Sequence, residues 1–257
     1  MSGCVLTSAV ARSCCRAERR VEVALPGEGR SRERARPAQP RQLTARGAAT
    51  RDRIVSAAAD LMYTHGVERT SLDDVIEVSG TGKSQLYHYC SDKSELVEQV
   101  VRFQVEQVLK VQAPLLENLR SMRGLERWRD MVVANSRTNK GAYGCPLGSL
   151  SSELADHSEL ARQEAQAGFS VWESQLRAGL ERMRESGELD AKANPADLAT
   201  GLLAALQGGY VLSQARRDPE SMRVSLDMAL DHIRSYVRAS PPRGTRPRAS
   251  RAKPTKS

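Results

Sequence analysis

The stretch SGTGKSQLYHYC, residues Ser79–Cys90, decides how the rest of the chain is interpreted. Its first half ends in Gly-Lys-Ser, which is also the end of the phosphate-binding P-loop of nucleotide hydrolases. A P-loop has a further glycine five residues before that last glycine, and it follows a buried strand. The chain has Glu77 at that place, inside an amphipathic helical pattern. Because both the motif and its context fail, the stretch does not predict a nucleotide-hydrolysing site.

The same residues fit two short helices joined by a tight turn. A first helix is predicted over 71–79, with Ser71 as its N-cap and Asp73 and Asp74 near its positively polarised end. The turn 80–82 contains two glycines and breaks this helix, and a second helix is predicted over 83–89. Two short helices and a glycine-containing turn are the local requirement of a helix-turn-helix. A helical corner in an ordinary α-helical bundle satisfies the same requirement, so both interpretations remain open at this point.

In a helix-turn-helix the second helix presents its first residues to base edges in the major groove. Here those residues are Lys83, Ser84 and Gln85. Lysine donates to guanine, glutamine pairs with adenine, and serine suits either base. Tyr87 and His88 follow, and their polar groups are predicted to reach phosphate oxygens. Leu86, which lies between Gln85 and Tyr87, is predicted to anchor the helix inward.

Hydrophobic periodicity predicts helices along most of the remaining chain. Residues from Thr50 to His65 form one apolar face and end at Gly66, a residue suited to a left-handed helix end. A fourth helix begins after Asp92 and runs to about Val111, before Pro114. Further helices are predicted near 115–121, 124–139, 147–155, 158–186, 195–216 and 219–239. No segment alternates as a strand would, so the predicted fold class is all-α, with a small N-terminal unit joined to a larger bundle.

Charge divides the chain into a core and two basic tails. The net charge is +8, of which residues 1–46 carry +6 and residues 238–257 carry +7, leaving −5 for the part between. Residues 1–46 and 240–257 are predicted to be disordered tails, with 47–95 as the small domain and 96–239 as the larger one. An aromatic content of 4% argues against base-stacking platforms for single-stranded nucleic acid.

Cysteine usage and hydropathy point to a reducing cytoplasm. The five cysteines include no CxxC pair, which argues against a disulfide framework and a zinc site. The start of the chain lacks a signal-peptide pattern, and the longest apolar stretch, 199–215, is too short and too interrupted to span a membrane. The sequence predicts no cofactor, no bound metal and no membrane partner.

With its surroundings, the opening stretch resembles the N-terminal domain of the TetR family of transcriptional repressors. The resemblance covers some 45 residues, from Arg51 to Leu96, with SLDDVIEVSGTGKSQLYHYCSDKSEL at its centre. Three positions depart from the family pattern: Thr81 replaces an aliphatic residue, Gly82 replaces a serine cap, and Cys90 replaces phenylalanine. The positions that match the family pattern are Val75, Gly80, Lys83, Leu86, Tyr87, Tyr89, Lys93 and Leu96.

The resemblance implies a helix-turn-helix domain that binds double-stranded DNA. Thr70, Tyr87, His88 and Lys93 become phosphate contacts, and the first residues of the second helix become base contacts. With the helix cap Ser71, the candidate DNA-binding residues are Thr70, Ser71, Lys83, Ser84, Gln85, Tyr87, His88 and Lys93. The resemblance also implies dimerisation through the final two helices. Two copies are also what a palindromic operator requires.

The larger domain supplies candidate interface and pocket residues. Two apolar rows at helical spacing in the last two helices predict a dimer interface formed by Leu202, Leu206, Tyr210, Leu226, Leu230 and Ile233, although core packing explains either row as well. Large apolar side chains predict a ligand cavity lined by Trp128, Met131, Tyr143, Phe169, Trp172 and Met183, which suits a hydrophobic or aromatic effector.

The predicted function is that of a cytoplasmic, homodimeric, ligand-responsive regulator, a repressor released from its operator by a small molecule. The segment GCPLGSLSSELA, residues 144–155, resembles a C-terminal domain type of TetR-like regulators. Two other classes are weighed against this prediction. One is an enzyme using Cys145, with His157 as a partner, and the other is a helical adaptor that does not bind DNA. Both score lower, because no local signature accompanies the thiol and the match to the TetR pattern is specific.

Overall fold

The structure, a computed structural model, describes residues 43–238. This part of the chain forms nine α-helices, which confirms the all-α prediction. The predicted tails lie outside the described residues except for 43–46, of which Ala45 and Arg46 already belong to the first helix. The helices are α1 (Ala45–His65), α2 (Leu72–Ser79), α3 (Lys83–Tyr89), α4 (Lys93–Leu116), α5 (Met122–Thr138), α6 (Pro146–Leu154), α7 (Glu159–Glu185), α8 (Pro195–Arg216) and α9 (Glu220–Arg234).

Helices α1, α2 and α3 form the small N-terminal unit, and local capping fixes where α2 begins and ends. The amide of Asp74 donates to the Ser71 hydroxyl at 3.1 Å, and the Ser71 amide donates back to the Asp74 carboxylate at 2.8 Å. The Ser71 hydroxyl also donates to the Asp74 carboxylate at 2.7 Å, and this bond, together with the one from the Ser71 amide, lowers the pKa of Asp74. Gly80 ends the helix in the left-handed conformation, at φ 63°. The turn to α3 is therefore fixed by residues within it.

Helix α4 continues through Pro114, where the sequence had predicted a break and a separate helix near 115–121. Pro114 lies in the last turn of α4, where its ring and its missing N–H act on the carbonyl of Lys110, one turn before it. The carbonyl groups that follow are satisfied from another helix. The Arg182 guanidinium donates to the carbonyl oxygens of Leu116 and Leu119, each at 3.0 Å. A tertiary contact thus lets α4 extend to Leu116.

Helix α9 ends at Arg234, before the predicted 239, because the chain that follows pairs with a loop. The Asp190 amide donates to the Tyr236 carbonyl at 2.8 Å, and the Arg238 amide donates to the Glu188 carbonyl at 3.0 Å. Leu189 pairs with Val237 in this short antiparallel bridge and is buried. Within residues 43–238, no helix is both long enough and apolar enough to cross a membrane.

A candidate DNA-reading helix and an interior cavity

Helix α3 is attached by one face and leaves its opposite edge exposed. Leu86 is fully buried against the small N-terminal core, which includes Val75 of α2 and Ile54 of α1. On the other side of the helix, the residues exposed to solvent are Lys83, Ser84, Gln85, Tyr87 and His88. All five were predicted as DNA contacts. The structure leaves all five exposed on a seven-residue helix, with Tyr87 46% exposed.

Gln85 has a structural role that the sequence analysis missed. Its side-chain oxygen accepts the Gly82 amide at 3.0 Å. Gly82 is the N-cap of α3 and has no side chain to cap the helix, so Gln85 reaches back to the cap residue instead. Its NH₂ group points away from this bond and remains a donor. The predicted two-point pairing with adenine therefore competes with a cap.

The three other predicted DNA contacts, Thr70, Ser71 and Lys93, lie outside α3 and differ in whether their polar groups are accessible to a phosphate. Thr70 is 2% exposed and its hydroxyl donates to the Gly66 carbonyl at 2.9 Å, so its side chain is not presented at the surface. Ser71 is committed to the cap of α2. Lys93 is half-buried, and its ammonium donates to the Glu68 carbonyl at 3.2 Å. Of the residues predicted as phosphate contacts, Tyr87 and His88 have the most accessible polar groups.

Helix α6 holds α1 at two points, and neither contact was predicted. The Glu153 carboxylate accepts the Val67 amide at 2.8 Å and the Glu68 amide at 3.2 Å, just after α1 ends. At the other end of α6, the Tyr63 hydroxyl donates to the Gly144 carbonyl at 2.9 Å. Burial of this phenol raises the pKa of Tyr63 to about 12. The contacts join residues more than 80 positions apart, so no local pattern announces them.

A cluster of polar and aromatic side chains lies in the middle of the larger domain. The indole nitrogens of Trp128 and Trp172 both donate to the side-chain oxygen of Gln112, at 2.7 and 3.0 Å. All three residues are buried, and Phe169 stacks parallel to Trp172 with ring centroids 6.5 Å apart. Sequence reasoning found the tryptophans but not Gln112, because a glutamine on a helix carries no signal of burial.

Beside this cluster is a cavity of about 180 Å³. It lies between α4, α5, α7 and α8 and reaches the start of α6 at Cys145 and Pro146. Of the six residues predicted to contact a ligand, Met131 and Trp172 line it. Trp128 contacts Gln112 behind the wall, and Phe169 borders a neighbouring cleft of about 370 Å³.

The other two predicted ligand contacts do not line this cavity. Met183 is fully buried in the hydrophobic core, where it packs among other apolar side chains. Tyr143 is 43% exposed and lies against the ring of Tyr63, with centroids 5.6 Å apart. The ligand prediction is corrected accordingly: size and apolar character did not separate cavity walls from solid core.

The Cys145 thiol acts as a helix cap. Its sulfur accepts the Gly148 amide at 3.4 Å and the Gln207 side chain at 3.6 Å, and the residue is buried. Burial raises the pKa of the Cys145 thiol, which is opposite to the shift that activates a nucleophile. The described surroundings of this thiol do not support the alternative of a cysteine enzyme.

The residues predicted to form a dimer interface lie within the subunit. Tyr210 is half-buried, and the other five are at most 1% exposed: Leu202, Leu206, Leu226, Leu230 and Ile233. They pack α8 and α9 onto each other and onto the core, so they are not available to a second copy. The interface prediction is corrected by this burial. What α8 and α9 expose instead includes Val211 (64%), Leu212 and Val224, and Met228 (70%).

Sequence comparison assigns both parts of the chain. The family described as "Bacterial regulatory proteins, tetR family" matches residues 54–100, and "Tetracyclin repressor-like, C-terminal domain" matches residues 121–229. An uncharacterized HTH-type transcriptional regulator of Lactococcus lactis is 26% identical over 181 residues, which is 70% of this chain and 90% of the relative. The HTH-type transcriptional repressor DhaR of a Mycobacterium species is 22% identical over 183 residues, covering 71% and 91%.

Solved structures share the fold. A TetR transcriptional regulator from Chloroflexus aurantiacus superposes with a TM-score of 0.67 at 20% identity, covering 77% of this chain and all of the other. The regulatory protein TetR from Rhodobacter sphaeroides superposes with a TM-score of 0.65 at 15% identity, covering 72% of this chain and 98% of the other.

Proposed function

Since the chain belongs to the TetR family of transcriptional regulators, and is a regulator rather than an enzyme, we propose that it binds a palindromic DNA operator as a homodimer and represses transcription until a small molecule releases it. Its proposed localisation is then the bacterial cytoplasm, which contains the DNA. The observation that carries this proposal is the exposed edge of α3: five polar side chains face outward from a helix whose Leu86 is fully buried.

The roles proposed for individual side chains follow from their surroundings. Lys83 and Ser84 lie at the first turn of α3 and read base edges. Gln85 contributes a donor through its NH₂ group while its oxygen holds the Gly82 cap. Tyr87 and His88 contact phosphates and set the register of the helix in the groove. Residues 47–95 carry five basic and eight acidic side chains, so affinity depends on these few directed contacts and on dimerisation.

The proposed dimer face is the exposed side of α8 and α9. Ala204, Gly208 and Val211 follow one another on α8 at helical spacing and all are exposed. Val224 and Met228 lie on α9 in the same relation, four residues apart. Small residues let two helices approach closely, and Met228 and Val211 supply apolar area that a lone subunit leaves in water. A second copy would cover this face by an isologous contact.

The proposed release runs from the cavity through α6 to α1. Cys145 and Pro146 line the cavity at the start of α6, and Glu153 near its other end accepts two amides beyond α1. A ligand that favours a shifted α6 would shift α1 with it and change the spacing of the two α3 helices. Release requires that the ligand bind the shifted state more tightly than the DNA-binding state.

The test is a titration of labelled DNA from upstream of the chain's own gene, at several salt concentrations. Tyr87→Phe removes only a hydroxyl and is expected to weaken binding to operator and random DNA alike. Lys83→Ala is expected to weaken operator binding more than random binding, because a base contact is worth about 1–3 kcal/mol of discrimination. The exposed Val78→Ala on α2 is the matched control and should bind as the wild type does. Binding without salt dependence, or equal affinities for all variants, would contradict the proposal.

A further inference from the structure

The cavity beside the two tryptophans is built entirely from uncharged residues. Its wall contains four carboxamides, those of Gln104, Gln107 and Gln112 on α4 and of Asn135 on α5, together with the Tyr210 side chain. The remaining lining is apolar or aromatic. Among residues 43–238, no lysine, arginine or carboxylate borders the cavity. Because burying an unpaired charge costs far more than burying a neutral group, this wall selects against ions of either sign.

Gln112 presents a donor to the cavity in a fixed orientation. Indole nitrogens can only donate, so the two bonds from Trp128 and Trp172 require the oxygen of Gln112 on their side. The NH₂ group of Gln112 must then point the other way. Gln112 is 6% exposed, it lines the cavity, and its NH₂ group has no protein partner within residues 43–238. The Gln112 donor therefore opens onto the cavity, where an acceptor brought by a ligand can pair with it.

Gln104 gives a second observation of the same kind. It lies eight residues before Gln112 on the same face of α4 and is 8% exposed. It lines the cavity, and its carboxamide has no hydrogen-bond partner within the described residues. Two buried amides thus face one space, and one of them can present only its donor.

The size and walls of the cavity define the rest of the ligand. An apolar cavity of about 150 Å³ holds one benzene molecule, so about 180 Å³ accommodates one aromatic ring with a small substituent. The Trp172 ring, the Met131 thioether and Val108 form apolar contacts suited to such a ring.

We infer that the effector is an uncharged, single-ring aromatic carbonyl compound whose carbonyl oxygen accepts a hydrogen bond from the NH₂ group of Gln112. This inference rests on the proposed function for the word effector, but the binding itself does not depend on DNA. The carbonyl completes the hydrogen bonding of Gln112, and the ring fills the space between Trp172 and Met131.

The experiment compares three probes of nearly the same shape. Acetophenone carries the carbonyl, α-methylstyrene replaces its oxygen by a CH₂ group, and benzoate carries a charge. Calorimetry gives the affinities, and the two indole N–H signals in NMR report the location, because the chain has only two tryptophans and both bind Gln112. Acetophenone is expected to bind about tenfold more tightly than α-methylstyrene, which is otherwise the more hydrophobic probe, and to shift both indole signals. Benzoate is expected to bind at least about tenfold more weakly than acetophenone.

Two variants separate the hydrogen bond from a general effect of charge. Gln112→Glu keeps an acceptor for both indoles but removes the donor, and it should abolish the preference for acetophenone over α-methylstyrene. Gln107→Glu places the same charge on the cavity wall away from the indoles and should keep that preference. If Gln112→Glu does not fold, the three probes and the indole signals of the wild type still decide the matter.

The outcomes distinguish this inference from the proposed function. If α-methylstyrene or benzoate binds as tightly as acetophenone, or if no probe shifts the indole signals while the protein still binds its upstream DNA, the inference fails and the regulator stands. If acetophenone binds with the expected preference but leaves the affinity for DNA unchanged, the assignment of the cavity stands and its role in release fails.

Discussion

The two glycines of the turn before α3 have opposite requirements, and this leads to a test on a single substitution type. Gly82 is the N-cap of α3 with φ −80° and ψ 154°, a conformation open to any residue. Within residues 43–238, a Cβ there would have only the Gln85 side-chain oxygen near it, at 3.9 Å. Serine therefore fits without strain. It limits the freedom of the unfolded chain, which contributes about 0.4–1 kcal/mol. It also adds a capping oxygen, which contributes a few tenths of a kcal/mol more.

Gly80 differs because its backbone is left-handed. It closes α2 at φ 63°, where a Cβ meets the backbone, although no other atom of the described residues lies within 4 Å of the added carbon. The cost of Gly80→Ser is thus conformational only, about 1–2 kcal/mol. Gly82→Ser should raise the free energy of unfolding by about 0.5–1.5 kcal/mol, and Gly80→Ser should lower it by about 1 kcal/mol or somewhat more.

Urea titration followed by circular dichroism measures both changes. When only stability changes, the urea concentration at the midpoint shifts while the slope of the unfolding free energy against urea concentration stays constant. The difference in sign is the decisive result. If the two serines shift stability in the same direction, the assignment of the turn, with Gly80 as the cap of α2 and Gly82 as the cap of α3, is refuted. Gly80→Asn should recover part of the loss, because asparagine tolerates the left-handed region better than serine does.

Three further predictions follow from named contacts. Glu153→Ala should lower the free energy of unfolding by about 1–3 kcal/mol in urea titration, because it leaves the amide of the buried Val67 unpaired. Glu153→Gln should restore part of this free energy. If Glu153→Ala is as stable as the wild type, the role of the carboxylate is contradicted. Gly179→Ala should destabilise the protein by about 1–3 kcal/mol, because its Cβ would lie 2.3 Å from the Leu119 side chain. Gly201→Ala should not destabilise it, because the added Cβ meets no atom of the described residues within 4 Å. Thermal unfolding distinguishes the two variants. Met228→Asp should convert dimer to monomer in sedimentation experiments, whereas Val171→Asp on α7 should not, and a dimeric Met228→Asp would place the interface elsewhere.

Local signals were sufficient to predict most of the helices. The Ser71–Asp74 box, Gly66 and the Asn194-Pro195 pair each act within one helical turn, so the sequence shows them directly. Pro114 is the exception: α4 continues past it, and Arg182 donates to carbonyl groups beyond it. Arg182 lies more than 60 positions away in the chain, and periodicity gives no sign of this contact.

The site was predicted in outline, and the errors have a common cause. Period 3.6 shows that α8 has an apolar row, but it does not show what covers that row. The leucines of these rows in α8 and α9 were assigned to a second copy, whereas the subunit buries them itself and leaves other apolar residues, such as Val211 and Met228, outside. Gln112 was missed for the same reason: its importance comes from two indoles that lie 16 and 60 residues away.

The two contacts between α6 and α1 bear on how a ligand in the cavity could act at a distance. A single contact would let α1 pivot when α6 moves, but Tyr63 is bound beside the start of α6 and Val67 and Glu68 are bound by Glu153 near its end. Helix α6 has nine residues and is therefore about 13 Å long, so these contacts are well separated along it. A rod fixed to its neighbour at two separated points transmits rotation as well as translation. In the proposed mechanism, a small displacement of Pro146 at the cavity would therefore reorient the whole small N-terminal unit, with no need for α2 or α3 to unfold.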